Sequence, residues 1–200
     1  MVDSRDDLSA RLVRVASKLA VAASSPGEPV MFGADSHRFR IGPVLTEDEV
    51  VAFETRHGVG LPPDYRGFIT TVGHGGPGPF GGAGPFYGLL AIEDWEWTLQ
   101  GDPDATMLAR PFATEPGRVY ENWLAEAAPD EDDEPFRGTL VLSHQGCGDL
   151  SLLILTGPAR GRVVDTSPGK HGPHFTADPD FLSWYERWLD AVLVGDRHFR

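Results

Sequence analysis

The sequence predicts an α+β fold in which helices flank a central, largely antiparallel sheet. Helical apolar spacing is clearest toward the two ends of the chain, at residues 4–22, 46–72 and 181–194, and a further helix is predicted at 118–127. Three strand-like segments follow one another between them, at 139–143, 150–155 and 161–165. The gaps between these segments are too short for a parallel crossover, which needs roughly a dozen residues or more. Helices and strands therefore segregate, as expected for one α+β domain.

The N-terminal part predicts an amphipathic helix followed by a connector. Ser4 is a suitable N-cap, and one stripe at helical spacing carries Leu8, Leu12, Val15 and Leu19. We assign residues 1–40 to this helix and connector, and residues 41–195 to the main domain. Residues 37–41 predict a short strand where the two parts meet.

Two further helices are predicted from their boundary signals. Thr46 to Glu49 forms a capping box, so a helix begins there and runs to His57, with Val50 and Phe53 facing inward. Gly58 is its stop signal. The next helix begins at Pro62-Pro63-Asp64 and ends at Gly73, and its apolar face consists of Tyr65, Phe68, Ile69 and Val72.

A glycine-proline segment, residues 73–88, contains a literal GxGxxG at 76–81. A phosphate-binding fingerprint must follow a strand and open a helix. Here the motif follows a helix and includes two prolines, which donate no amide. We interpret the segment as a shaped surface rim. Residues 86–92 then predict a strand.

The C-terminal part predicts the sheet core and a closing helix. The three strands should form an antiparallel meander whose buried residues include Leu140, Leu142, Leu152 and Ile154. Asp178-Pro179 is expected to cap the last helix and Gly195 to end it. Trp184 and Trp188 lie four residues apart, so both should be buried on one helix face.

Charge and composition restrict the partners. The chain has 17 basic and 30 acidic residues, a formal net charge of −13, and no run of roughly 20 apolar residues that would span a membrane. An acidic surface disfavours nucleic acid and anionic lipid and favours a basic partner. The single cysteine and the absence of a signal-like N-terminus predict a cytoplasmic protein.

No motif predicts catalysis, a metal or a cofactor. His171 and His174, or His144, Cys147 and Asp149, lack the paired spacing of a structural zinc site. Cys147 and His144 share a turn without the local signature of a thiol hydrolase. We therefore expect a binding protein with no catalytic residues.

The long acidic segment at 93–137 is the predicted partner-binding region. Its candidate residues are Glu93, Asp94, Trp95, Asp130, Glu131, Asp132, Asp133 and Glu134. Acidic side chains beside an aromatic residue suit docking to a basic protein surface. The alternatives are a solvated loop for residues 130–134 and a core position for Trp95.

Four segments in order resemble the SUKH superfamily. They are LTEDEVVAFETRHGVGLPPDYRGFITTVGHGGPGPF at 45–80, GPFYGLLAIED at 84–94, LVLSHQGCGDLSLLILTGPARGRVVDT at 140–166 and FLSWYERWLD at 181–190. The resemblance implies a SUKH-like sheet flanked by helices and no known catalytic centre. Residues 1–40 and 93–137 have no clear counterpart in the family pattern.

The resemblance also implies a function. Bacterial members are immunity proteins that bind and neutralise polymorphic toxins, frequently nucleases, and fungal relatives are cell-wall-assembly regulators. We therefore expect an immunity-type protein that neutralises a basic cognate toxin by stoichiometric binding. The alternative is a regulatory or scaffold module without a toxin partner.

Overall fold

A computed structural model describes residues 4–25, 27–95, 106–112, 114–117, 121, 126, 136–167 and 173–199. The helices are α1 (Ser4–Ser24), α2 (Ala34–His37), α3 (Glu47–His57), α4 (Pro63–Thr71) and α5 (Phe181–Leu193). Short 3-10 helices span Ile92–Asp94 and Met107–Ala109. The strands are β1 (Thr139–Gly146), β2 (Asp149–Ile154), β3 (Val163–Thr166) and β4 (His174–Phe175). The α+β prediction is confirmed.

The sheet is a consecutive antiparallel meander in the order β1-β2-β3-β4. Leu140 pairs with Leu153, which in turn pairs with Val163, and this register confirms the predicted arrangement of the first three strands. The fourth strand was not predicted, since a two-residue strand is too short to show alternation.

Both faces of the sheet are apolar. Leu140, Leu142 and Leu153 join the helices in the main core. Leu152 and Ile154 belong to a second cluster with Phe112 and Val164. Successive residues of a strand point to opposite faces, so the four predicted core residues divide between the two clusters. All four are at most 1% exposed, which confirms their predicted burial.

The observed helix ends show which of the predicted boundary residues cap or end a helix. Thr46 and Glu49 form the predicted capping box, and Gly58 ends α3 with φ 61°. The cap of α5 is Asp180, which accepts a hydrogen bond from the Ser183 N–H at 2.9 Å, so the assignment to Asp178-Pro179 was wrong. Asp178 instead accepts hydrogen bonds from Arg187.

Helix α1 packs along α5 through apolar and charged contacts. Val15 and Leu19 are buried in the main core. Arg11 binds the Asp180 carboxylate, and Arg14 and Lys18 both bind Glu186. The hydrogen bond from Arg14 is the main reason why the pKa of Glu186 falls to about 2. The N-terminal helix is therefore attached to the domain.

Two predicted strands were wrong, because tertiary contacts override local alternation. After His37 the chain turns out of α2 with positive φ angles at Arg38 and Phe39. This turn lets the side chains of His37 and Phe39 pack against Trp188. Residues 86–92 are interrupted by positive φ angles at Phe86 and Gly88. This segment still follows the edge of β1, where the Leu90 N–H donates to the Leu142 carbonyl at 2.9 Å.

His37 makes the fold sensitive to acid. The side chain is 0% exposed, and burial lowers its pKa from 6.5 to about 4. The unfolded chain binds this proton below about pH 6.5, but the folded chain does not until about pH 4. The stability that the neutral imidazole contributes is therefore complete above pH 6.5 and is lost as the pH falls through this window.

We expect the His37→Asn variant to be less sensitive to acid than the parent protein. Between pH 7.5 and pH 5, the parent should lose about 2 kcal/mol more unfolding free energy than the variant, at about 1.36 kcal/mol per pH unit below 6.5. The Asn carbonyl can accept the Phe39 N–H bond that His37 Nδ1 accepts now at 3.0 Å. Urea titrations at both pH values measure the difference, and equal losses in the two proteins would contradict the assignment.

Candidate binding surface

Of the eight candidate binding residues, the structure describes three, and Glu93 and Asp94 are the exposed pair among them. Both are exposed at the end of the 3-10 helix Ile92–Asp94, while Ile92 and Trp95 on either side are 1% and 4% exposed. The Trp95 ring lies 5.0 Å from the His57 ring. The structure therefore places Trp95 in the core, where it anchors the acidic pair and offers little side-chain surface to a partner.

His74 fixes the acidic pair to the glycine-proline segment. Its Nε2 accepts a hydrogen bond from the Ile92 N–H at 2.8 Å and lies 3.2 Å from Glu93 Oε2. Burial lowers the pKa of His74, although the carboxylates of Glu93, Asp94 and Glu49 oppose that shift. A neutral His74 adds no positive charge beside these carboxylates, so the described part of this surface is negative at neutral pH.

Glu49 adds a third carboxylate from the first turn of α3. Its side chain is exposed, and hydrogen bonds from the backbone and side chain of Thr46 lower its pKa. It therefore stays ionised at neutral pH. We call Glu49, Glu93 and Asp94 the acidic rim. The sequence did not predict Glu49 or His74 as site residues. Glu49 was already assigned as a capping residue, and His74 belongs to no recognised motif.

A cleft of about 190 Å³ joins the acidic rim to the glycine-proline segment. Gly76, Gly78 and Gly81 form one side, and Leu90 and Asp94 lie on the other. Gly78 and Gly81 exchange backbone hydrogen bonds, and the Gly82 N–H donates to the Leu89 carbonyl at 2.8 Å. These amides are used within the loop, which does not suit the cradling of a phosphate.

Residues 130–134 lie outside the described residues, as do Trp97 and most of a helix predicted at 118–127. The part of the binding prediction that rests on Asp130, Glu131, Asp132, Asp133 and Glu134 therefore stays a prediction.

The described residues include no group of three or more His, Cys, Asp or Glu side chains placed to hold a metal ion. His144 Nδ1 accepts a hydrogen bond from the Gly146 N–H at 3.0 Å, and Cys147 is exposed in the next turn with φ 53°. Within the same described part of the chain, no helix is both long and apolar enough to cross a bilayer.

An antiparallel meander flanked by helices, with a glycine-rich stretch before the sheet, is consistent with a SUKH fold. The sequence model of the SMI1/KNR4 family (SUKH-1) matches residues 44–186, and the chain belongs to this family. The match confirms the resemblance and begins just before α3, so α1 and α2 precede it. Comparisons with curated proteins and with solved structures give no significant match. The family is known for binding proteins with immunity or regulatory roles, and membership is consistent with either role.

Proposed function

We propose that this protein is an immunity-type binding protein that neutralises a cognate polymorphic toxin by stoichiometric binding. Membership in the SUKH-1 family is the observation that carries the proposal. The negative acidic rim and the net charge of −13 support a basic partner. Nothing in this mechanism requires a chemical step by the protein, because occupancy of the toxin is enough to inhibit it.

A nuclease toxin suits the acidic rim. An enzyme that binds nucleic acid presents Lys and Arg to phosphates, and surface carboxylates can take the place of those phosphates. Glu93 and Asp94 are well placed for this role, since the buried side chains of Ile92 and Trp95 hold them outward. We include residues 130–134 in the binding region on the basis of their charge alone.

A regulatory module without a toxin partner is the second candidate, since the same family contains regulators. The two functions differ in gene neighbourhood and in partner. Co-expression of the protein with the product of an adjacent toxin gene, followed by affinity capture, should recover a one-to-one complex and relieve toxicity. Relief without capture, or capture without relief, would contradict stoichiometric neutralisation.

Neutralising the acidic region should slow association with that toxin. We expect a variant with Glu93→Gln, Asp94→Asn and amides at residues 130–134 to associate roughly 10-fold more slowly at low salt, because exposed charges act mainly on the encounter rate. Added salt should reduce the difference, since screening acts over about 10 Å at 0.1 M. Surface plasmon resonance at two ionic strengths measures both effects.

Two controls locate the effect. A variant with Glu28→Gln and Asp190→Asn alters exposed carboxylates at 76% and 57% side-chain exposure, outside the acidic rim. We expect it to retain most of the parent association rate. The Glu93→Gln, Asp94→Asn pair alone separates the described rim from residues 130–134. An unchanged rate in the fully neutralised variant would rule out the acidic region as the docking surface.

A further inference from the structure

A second cavity, of about 500 Å³, lies away from the acidic rim. Its walls come from the residues before α2, from the β1–β3 strands and from the C-terminal tail. The residues that matter for its chemistry are Phe32, Phe86, Phe199, Gln145, Asp149 and Asp165. We call this cavity the Phe–Asp pocket. It combines aromatic rings with carboxylates, and the part of its lining that the structure describes includes no lysine or arginine.

The aromatic walls are held in place by backbone contacts. Gly33 lies so close to Phe86 that a Cβ atom there would be 2.2 Å from the Phe86 carbonyl oxygen. The Phe32 N–H donates to the Arg197 carbonyl at 3.3 Å, which ties this wall to the C-terminal tail. Phe86 and Phe199 meet edge to face at 5.8 Å. Phe32 is 48% exposed, so this wall can be reached from solvent.

The polar part of the pocket is centred on Asp165. Its Oδ1 accepts hydrogen bonds from Ser151 Oγ and Gln145 Nε2, both at 2.7 Å. Its Oδ2 accepts no hydrogen bond from the described residues. Burial raises the pKa of Asp165, which means that its negative charge is poorly solvated. Asp149 lies in the same lining, where Ser167 Oγ donates to its Oδ1 at 2.5 Å.

Within the described part of the chain, the neighbouring cations leave this charge incompletely balanced. Arg187 and His174 both favour the ionised form of Asp165. The Arg187 guanidinium, however, already binds Asp178 at 2.8 Å and lies over the Phe199 ring at 4.2 Å. His198 is a further lining residue and adds a charge only when protonated. A poorly solvated carboxylate in a cavity that aromatic rings also line favours an incoming cation.

We propose that the Phe–Asp pocket receives an arginine side chain of the protein partner. A guanidinium is planar, stacks on aromatic faces and donates several hydrogen bonds to a carboxylate, whereas an ammonium offers a point charge and does not stack. Phe32 and Phe86 would flank the guanidinium plane, and Asp165 Oδ2 would accept its hydrogen bonds. The proposal rests on the proposed function for the identity of the partner, while the pocket can be tested without that partner.

The test uses N-acetyl-L-arginine methylamide as the probe in a ¹⁵N–¹H NMR titration of the full chain. We expect saturable shifts at the Gln145 side-chain amide and at the Phe86 and Phe199 backbone amides, with a dissociation constant of roughly 1–10 mM for a single side chain. The citrulline analogue has nearly the same shape without the charge and should bind at least roughly 10-fold more weakly. Equal binding of the two compounds would overturn the proposal. The lysine analogue should also bind more weakly, and tighter binding of lysine would overturn the choice of arginine.

Two variants of the pocket and one control complete the experiment. Asp165→Asn keeps the carbonyl that Ser151 and Gln145 contact and removes only the charge, so arginine binding should fall roughly 10-fold. Phe32→Ala alters an exposed wall, should leave the fold intact and should weaken binding to a smaller extent. Asp190→Asn, outside the pocket, should have no effect. Full binding by both pocket variants would overturn the site.

Failure of the pocket and failure of the proposed function give different results. Capture of a toxin that binds the Asp165→Asn and Phe32→Ala variants as tightly as the parent would overturn the pocket and leave the proposed function intact. Specific arginine binding without capture of any toxin would support the pocket and count against the toxin as the partner.

Discussion

Replacing Trp188 with alanine should lower the free energy of unfolding by about 3–5 kcal/mol, as is typical for truncation of a buried aromatic residue. Trp188 is 0% exposed in α5. Its ring lies 5.2 Å from Tyr185, 5.9 Å from His37 and 6.0 Å from Phe39. Tyr185 lies on the same helix, and His37 and Phe39 belong to one distant segment with its own backbone constraints. We expect these residues to collapse little into the cavity, so the cost should fall in the upper part of the range.

Urea or guanidinium titration of the parent and variant measures this loss. Val194→Ala provides a matched control at the end of the same helix, since Val194 is 81% exposed and its truncation should change stability by no more than about 0.5 kcal/mol. A loss below about 1 kcal/mol for Trp188→Ala would show that this face of α5 is not buried as described.

The predicted elements that were confirmed have signals within their own sequence. The capping box at Thr46 and Glu49 requires only two side chains three residues apart, and α3 begins there. The meander could be predicted because the gaps between the strands, after Gly146 and after Ile154, are short. The burial of Trp184 and Trp188 follows from helical periodicity alone.

The errors occur where distant contacts decide the backbone. Residues 37–41 alternate as a strand would, but packing of His37 and Phe39 against Trp188 favours a turn. The Phe–Asp pocket was not predictable for the same reason, since Phe32, Phe86, Asp165 and Phe199 are far apart in the chain. No periodicity or motif connects such residues, and only the packed fold brings them together.

The formal net charge is larger than the negative charge that is available to attract a partner. Several carboxylates of α5 are engaged within the protein: Asp180 binds Arg11, Glu186 binds Arg14 and Lys18, and Asp178 before the helix binds Arg187. Among the described residues, no lysine or arginine is paired with the carboxylates of the acidic rim, and the neighbouring His74 is neutral at pH 7. The location of uncompensated charge, rather than its total, therefore supports the rim as a docking surface.

The glycine-proline segment leads to the second large expected effect, which concerns Gly82. A Cβ atom at Gly82 would lie 1.8 Å from the Gly75 carbonyl oxygen and 2.6 Å from its carbon. Both contacts are with backbone, so no side-chain rotation relieves them. Gly76 faces Gly82 in return, since a Cβ at Gly76 would lie 2.3 Å from the Gly82 Cα. The first glycine of the GxGxxG match, Gly76, is thus explained by two backbone segments packed against each other.

We expect Gly82→Ala to lower the unfolding free energy by about 3 kcal/mol, at the upper end of the cost of overpacking, because the two segments must separate to admit the methyl group. Gly60→Ala is the matched control: its nearest neighbour, Arg160 Nη2, is 3.9 Å away, and its effect should stay within about 0.5 kcal/mol. Denaturant titration compares the two variants with the parent.

The segment also forms one side of the cleft beside the acidic rim. Gly82→Ala should therefore shift the backbone NMR signals of Glu93 and Asp94, whereas Gly60→Ala should not. Equal stability of the two glycine variants would show that the segment has room for a side chain at residue 82. The segment would then again be a candidate ligand-binding loop.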